Sequence, residues 1–142
     1  MNVLFDTNVL LDALLAREAF VEDAAFLLEA VETQMITGFI SATTLTDVHY
    51  LVGRLTKSPE SAITAVTQLL KLMDICPVDR QVLETAIALN LPDFEDAVQV
   101  ACAMTMNLDV ITTRDVKGFI GSPIAIIEPN ALRLKVQENV DS

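Results

Sequence analysis

The stretch MNVLFDTNVLLDALLA (Met1–Ala16) decides how the chain begins to fold, because polar residues interrupt an apolar run after only a few positions. The letters VLF are typical of a strand, and Asp6 follows them at once. Thr7 and Asn8 come next, ahead of a second apolar run. A purely structural strand can carry its apolar residues straight into a turn, so this carboxylate requires another explanation. Asp6 is therefore a candidate functional residue, although an acid in this place also commonly caps the following helix.

The length and composition of the chain predict a single domain over residues 1–142. No Pro-, Gly- or Ser-rich stretch divides the 142 residues into two parts. We expect the core to span residues 1–130, roughly, and residues 129–142 to form a C-terminal helix with a frayed polar tail. Hydrophobic residues make up 52% of the chain and the mean hydropathy is +0.47. These values are high for a soluble monomer, so we expect a partner to cover part of the apolar surface.

The net charge limits how the protein can meet nucleic acid. At pH 7 the formal charge is -11. Proteins that hold nucleic acid by a broad electrostatic surface are usually basic on the binding face, so this class is disfavoured. A nuclease whose metal ion meets the phosphate is still compatible with an acidic surface.

Neither the start of the chain nor its cysteines indicate export. Asp6 and Asn8 break the first apolar run, which is unlike a signal peptide. The longest uncharged stretch, residues 33–46, is too short to cross a bilayer. Cys76 and Cys102 lie far apart in apolar segments without metal-ligand spacing, so we expect buried free thiols. We therefore expect a cytoplasmic protein with no membrane contact.

Apolar runs of strand length alternate along the chain with longer segments that have helical spacing. The predicted strands are Asn2–Phe5, Met35–Ile40, Ile75–Val78, Val110–Thr112 and Ala125–Ile127. The predicted helices cover residues 21–32, 44–55, 58–73, 79–90 and 93–106, with a last helix from Pro129. This alternation is typical of an α/β protein, here a three-layer α/β/α sandwich around a mainly parallel sheet of about five strands.

The predicted helices also carry capping and burial signals. Ser58, Asp79 and Asp93 are the expected N-cap residues, because each precedes a helical apolar pattern. The helical spacing further predicts that Leu55 and Met104 face the core.

Four acids fall at one edge of the predicted sheet. Parallel strands end at the same edge, and ligands bind beyond those ends. Asp6 follows the first strand, Asp115 follows the fourth, and Asp47 lies in the first turns of the helix after the second. Asp96 opens a helix that runs antiparallel to the strand it precedes, so this acid is brought to the same edge.

Carboxylates gathered in this way repel one another, and their pKa values rise unless a cation lies between them. Mg²⁺ or Mn²⁺ suits such a place, because these ions take oxygen ligands from one or two carboxylates and leave room for water and a phosphate. Such an ion could activate water and stabilise the charge that develops on a phosphodiester. The pattern therefore predicts a cradle for a divalent cation.

Four segments carry a resemblance to a known family. VLFDTNVLLD, SATTLTDVHYLV, DFEDAVQVACA and VITTRDVKGF resemble, in order and spacing, the four acidic segments of PIN-domain ribonucleases. The match runs from Val3 to about Pro129. The chain is similar to the toxin component of type II toxin-antitoxin (VapC-like) systems.

The resemblance implies a compact α/β/α fold and divalent-metal-dependent cleavage of RNA. It also implies a homodimer and a small antitoxin protein as partners. The catalytic set carried over is Asp6, Asp47, Asp96 and Asp115, with Asp6, Asp96 and Asp115 as metal ligands and Asn8 and Thr113 in support. Two departures matter: the second acid is more often glutamate in the family, and Gly118 stands where the fourth segment often has a further acid or histidine.

Other interpretations stay open beside this one. The chain could be a PIN fold kept as a binding module without catalysis, an idea that the shorter Asp47 favours. A receiver-type signalling domain would use Asp6, Asp79 and Lys117. Such a domain has an adjacent acid pair after its first strand, which this chain lacks, and it would give Asp96 no role. Asp96 could also simply complement a helix N-terminus.

Overall fold

Five parallel strands form the centre of the protein, which we describe from a computed structural model covering residues 1–141. Their order in the sheet is β3-β2-β1-β4-β5, and each neighbouring pair is parallel. The strands are β1 (Asn2–Phe5), β2 (Thr37–Ser41), β3 (Asp74–Cys76), β4 (Val110–Thr112) and β5 (Ala125–Ile127). The predicted α/β class and the mainly parallel sheet are confirmed.

Two strands differ from the predicted bounds. β2 begins two residues later than expected, because the amides of Met35 and Ile36 donate to the carbonyl of Ala30 and close the preceding helix instead. β3 ends at Cys76, one residue before a proline that has no N–H to donate to the ladder.

Helices cover both faces of this sheet. They are α1 (Thr7–Leu14), α2 (Val21–Glu32), α3 (Ala42–Thr56), α4 (Pro59–Leu72), α5 (Arg80–Leu89), α6 (Phe94–Thr105) and α7 (Pro129–Asp141), with a 3₁₀ turn at Val116–Phe119. The predicted N-caps are confirmed: side-chain oxygens of Ser58, Asp79 and Asp93 accept backbone N–H groups at 3.1, 3.0 and 3.0 Å. Each cap fixes where its helix begins.

The polar end of the chain is more regular than predicted. We expected residues 136–142 to fray, but α7 continues to Asp141. The physical reason is burial, because Leu132 and Val136 both lie in the core and hold the helix against the rest of the molecule. Ser142 lies outside the described residues.

Two apolar cores lie on opposite sides of the sheet. One packs α1, α2, α3, α4 and α7 against it, and the other packs α5, α6 and the 3₁₀ turn. The predicted inward positions of Leu55 and Met104 are wrong, because both side chains are exposed. The buried row of α3 follows Thr44, Val48 and Val52 at a spacing of four and turns away from Leu55.

The two cysteines are buried free thiols, as the sequence predicts. Cys76 and Cys102 are buried and free, and burial raises the pKa of their thiols to about 12 and about 11. Both thiols are therefore protonated and inert at neutral pH. Within residues 1–141, no helix is long and apolar enough to cross a membrane.

Candidate active site

The candidate site lies where β1 and β4 end side by side. Phe5 and Thr112 are partners in the parallel register, and the amide of Asp6 donates to the carbonyl of Thr112 at 3.0 Å. Beyond this bond the two chains separate, β1 into α1 and β4 into the loop before the 3₁₀ turn. A crevice at this edge is the usual ligand position in an open parallel sheet.

Asp6 is held by four hydrogen-bond donors. Its Oδ1 accepts from the amide of Thr7 at 2.7 Å and from Gln99 Nε2 at 2.8 Å. Its Oδ2 accepts from Thr113 Oγ1 at 2.7 Å and from Asn8 Nδ2 at 3.2 Å. The carboxylate is only 7% exposed, and its position is set by residues from three separate segments. Asp6 therefore serves both as the α1 cap and as a fixed anion.

Asn8 and Thr113 link the two strand ends into one network. Thr113 Oγ1 accepts from Asn8 Nδ2 at 3.3 Å and from the amide of Asp115 at 3.0 Å. Asn8 Oδ1 in turn accepts from the amide of Arg114 at 3.2 Å. The two supporting residues therefore fix the turn that carries Asp115, whose own side chain is exposed at the rim.

Asp96 is the acid whose charge the surroundings oppose most. Partial burial, followed in order of effect by the nearby charges of Asp6, Asp93, Asp115 and Glu95, raises the pKa of its carboxyl to about 7. Two of the other predicted acids, Asp6 and Asp115, therefore lie close enough to Asp96 to oppose its charge. The combined negative charge is what a bound cation would relieve.

Asp47 stands apart from this group. Its side chain is exposed in the second turn of α3, and partial burial alone raises the pKa of its carboxyl. No neighbouring carboxylate contributes to that shift. The structure thus places Asp6 and Asp115 near Asp96, whereas Asp47 shows no such interaction.

Gly118 makes room for the Asp96 carboxylate. A Cβ atom built on this glycine would collide with Asp96 Oδ2, would lie 3.0 Å from Asp96 Cγ and 3.5 Å from Asp93 Cβ. The backbone of the 3₁₀ turn therefore approaches the acid more closely than a side chain allows. This explains why glycine stands at the position where the resembling family often has another acid or histidine.

Arg114 has a structural partner. Its guanidinium donates to both oxygens of Asp12, at 2.6 and 3.1 Å, and stacks 3.8 Å over the ring of Phe20. Asp12 is fully buried and also lies 3.5 Å from Arg17. Arg114 therefore belongs to a buried ion pair that fastens the β4 loop to α1.

This ion pair yields a first prediction. We expect Asp12→Asn to lower the free energy of unfolding by about 2–3 kcal/mol in urea denaturation, because two arginines lose their counter-charge at a buried position. Glu84→Gln is the matched control, since it breaks an exposed pair with Arg80 and is expected to cost about 0.5 kcal/mol or less. Equal effects of the two substitutions would contradict the structural role of Asp12.

The donor set fits a divalent cation of the magnesium type. Within residues 1–141, no three acids, histidines or cysteines stand together in a ready-made coordination group. Mg²⁺ and Mn²⁺ do not require one, because they bind through one or two carboxylates and keep several waters. Asp6 and Asp96 supply such a pair, and their mutual repulsion favours a cation between them.

The sequence analysis does not identify Gln99 as part of this site, although this residue lies three positions after Asp96 and on the same face of α6. A single polar residue among Val98, Val100 and other buried apolar residues was the available signal. Gly118 stands out in the sequence only as a departure from the family pattern, and its close approach to Asp96 is not predicted because Asp96 belongs to another element.

The sheet order excludes one alternative. Receiver-type domains have the order 2-1-3-4-5, whereas this sheet has the order β3-β2-β1-β4-β5. Asp79, the proposed acceptor in that interpretation, caps α5 by accepting the amide of Val82. The receiver interpretation is therefore wrong.

Comparison with known proteins gives the same architecture. A family model described as a PIN domain matches residues 2–117. No curated protein matches the sequence.

Solved structures with the same fold come from several bacteria. VapBC2 from Rickettsia felis, bound to a DNA fragment from their promoter, is 17% identical, with 90% of this chain and 98% of that chain covered and a TM-score of 0.67. FitAcB from Neisseria gonorrhoeae is 22% identical, with 89% and 97% covered and a TM-score of 0.69. VapC20 from Mycobacterium tuberculosis, described as a sarcin-ricin loop cleaving toxin, is 16% identical, with 77% and 86% covered and a TM-score of 0.63. At these identities the similarity concerns the fold.

Proposed function

The chain belongs to the PIN-domain family, and from this premise we propose that it is a metal-dependent endoribonuclease that hydrolyses RNA phosphodiester bonds. One observation supports the proposal: Asp6, a buried carboxylate held by four hydrogen-bond donors, lies near enough to Asp96 to help raise the pKa of that acid to about 7, together with burial and the other neighbouring acids. Capping α1 accounts for Asp6 alone and does not require a second carboxylate beside it. A bound cation makes the arrangement favourable.

The acids would have different roles according to how exposed their side chains are. Asp6 and Asp96 would hold Mg²⁺ or Mn²⁺, and Asp115 at the rim would complete or extend the site. Asn8 and Thr113 keep Asp6 and the Asp115 turn in place through their hydrogen bonds. A divalent cation here supplies Lewis-acid stabilisation of the phosphate and a water of lowered pKa.

Asp47 would contribute differently from the other acids. Its exposed side chain, and a pKa shift to which no neighbouring carboxylate contributes, support a role through water or toward the RNA. The same placement favours the alternative of a PIN fold without catalysis. In that case the stripped protein would still take up Mn²⁺ but would leave RNA intact.

We further propose that the protein is the toxin of a toxin-antitoxin pair, a homodimer held silent by a small antitoxin. The structures of similar fold include a toxin-antitoxin complex from Klebsiella pneumoniae and VapC20, which is described as a sarcin-ricin loop cleaving toxin. A groove of about 740 Å³ between α1, α2 and α4 offers a surface for such a partner, with apolar residues such as Leu14, Leu28 and Leu72 beside Glu29 and Lys71. Light scattering that gives the mass of one chain would contradict the dimer.

The function is tested by RNA cleavage with the metal as the variable. We expect the EDTA-stripped protein to leave total RNA intact, Mn²⁺ or Mg²⁺ to start cleavage, and fresh chelator to stop it. The reason is that the paired acids need a cation before a phosphate can approach them. Cleavage that continues unchanged in excess chelator would contradict the metal site.

A further inference from the structure

Gln99 is a buried amide that only half satisfies its hydrogen bonds. It lies in α6, is 5% exposed, and donates from Nε2 to Asp6 Oδ1 at 2.8 Å. Its Oε1 has no hydrogen-bond partner among the described residues. An unpaired buried acceptor costs about 1–3 kcal/mol, so this side chain is a poor choice for stability alone.

The surroundings of Gln99 would accept an apolar residue. Its neighbours Ala97, Val98, Val100 and Ala101 are all buried in the core beneath the sheet. An unbranched apolar side chain of the same length would fill the same space and leave no polar atom unpaired. The position therefore carries an amide for a reason other than packing.

That reason is the hydrogen bond that the Gln99 amide donates to Asp6. The bond from Nε2 reaches the end of β1, 93 residues away in the chain, and ties it to the helix that carries Asp96. Thr113 and Asn8 fix the other oxygen of Asp6 from the opposite side. Without Gln99, Oδ1 would be held only by the amide of Thr7, and the carboxylate could pivot about that contact.

We infer that Gln99 is a positioning residue of the cation site, which sets the Asp6 carboxylate relative to Asp96 at a cost in folding stability. This inference rests on the proposed function, because it concerns the same cation. It adds a residue that the four acids do not include. Partners that orient a metal-binding carboxylate typically change metal affinity by 10–100-fold when they are removed.

The test is Mn²⁺ binding to the full chain by titration calorimetry, with Gln99→Met as the main variant. We expect the Mn²⁺ dissociation constant to rise by about 10–100-fold. We expect the melting temperature in EDTA to change little, because the variant removes the unpaired oxygen together with one of the four hydrogen bonds to Asp6. Gln99→Ala is measured beside it, since alanine cannot overpack the core.

Thr112→Val is the matched control. Thr112 is also buried and its Oγ1 also has no hydrogen-bond partner among the described residues, so the hydroxyl does not bond to Asp6, and valine keeps the backbone carbonyl that does. We expect this variant to bind Mn²⁺ within about 2-fold of the wild type, well short of the 10-fold that a lost positioning contact costs. Gln99 variants that fold and bind Mn²⁺ as the wild type does would overturn the inference and leave the nuclease proposal standing. A wild-type protein that binds no Mn²⁺ would overturn both.

Discussion

Asp96→Asn is expected to abolish metal-dependent RNA cleavage, with a fall of about 10³-fold or more. The substitution keeps the shape of the side chain and removes the charge that, with Asp6, would hold the cation. Loss of Lewis-acid stabilisation of a phosphodiester is worth several kcal/mol in the transition state, and about 4 kcal/mol corresponds to this factor. The measurement is the initial rate of cleavage in saturating Mn²⁺.

The matched control is Glu95→Gln, which removes a charge from the same first turn of α6. Glu95 is exposed and has the smallest effect among the acids that raise the pKa of Asp96. We expect the Glu95→Gln variant to cleave RNA at a rate within about 3-fold of the wild type. The reason is that Glu95 is not a proposed metal ligand, so the several kcal/mol of stabilisation from the cation is kept. If Asp96→Asn cleaved RNA as fast as Glu95→Gln, the assignment of Asp96 to the site would be wrong.

The Asp96→Asn substitution is also expected to make the metal-free protein more stable at alkaline pH. The pKa of Asp96 is about 7 in the folded state, above the ordinary value of 3.8, so the folded protein keeps a proton that the unfolded chain has lost between these values. Wild-type stability therefore falls as the pH rises from about 4 to 7, and the variant escapes this loss. We expect a gain on the order of 1–2 kcal/mol above pH 7 after screening by water, and none below pH 4.

Much of the fold could be predicted because its signals are local. Strand runs rich in Val and Ile, the caps Ser58, Asp79 and Asp93, and Pro59 after Ser58 all act within a few residues of where they stand. The parallel sheet then follows from the alternation of strands and helices, and it brings Asp6 and Asp96 to one edge. Boundaries were less accurate, because backbone bonds such as those to Ala30 decide them.

The details of the site depend on contacts that the sequence does not reveal. The Asp12 to Arg114 pair joins residues 102 positions apart, and its sequence pattern resembles two unrelated surface charges. Asp47 lies in a segment that suits the resemblance, yet no neighbouring carboxylate contributes to the shift of its pKa. Periodicity predicts which face a residue occupies, but not which atoms meet across the crevice.

Gly118→Ala is expected to lower cleavage by about 100-fold or more while changing stability by less than about 1 kcal/mol. The added methyl group would occupy the place of Asp96 Oδ2, so the carboxylate must rotate away from its present position. The Asp96 side chain is short and partly exposed, so its rotation costs little folding free energy. Alanine at position 118 also lowers the conformational entropy of the unfolded chain, which offsets part of that cost. The substitution therefore lowers the cleavage rate rather than the stability, because small displacements of catalytic groups reduce rates strongly.

Gly53→Ala separates this effect from the general consequences of replacing a glycine. At Gly53, inside α3, an added Cβ would meet only Ala62 Cβ at an ordinary 3.5 Å, and alanine favours the helix by about 1 kcal/mol. We therefore expect that variant to cleave RNA normally and to melt at a higher temperature. The measurements are cleavage rate, melting temperature and Mn²⁺ affinity for both variants. Normal cleavage by Gly118→Ala would show that Asp96 works equally well in another position, because the methyl group and the present carboxylate position cannot coexist.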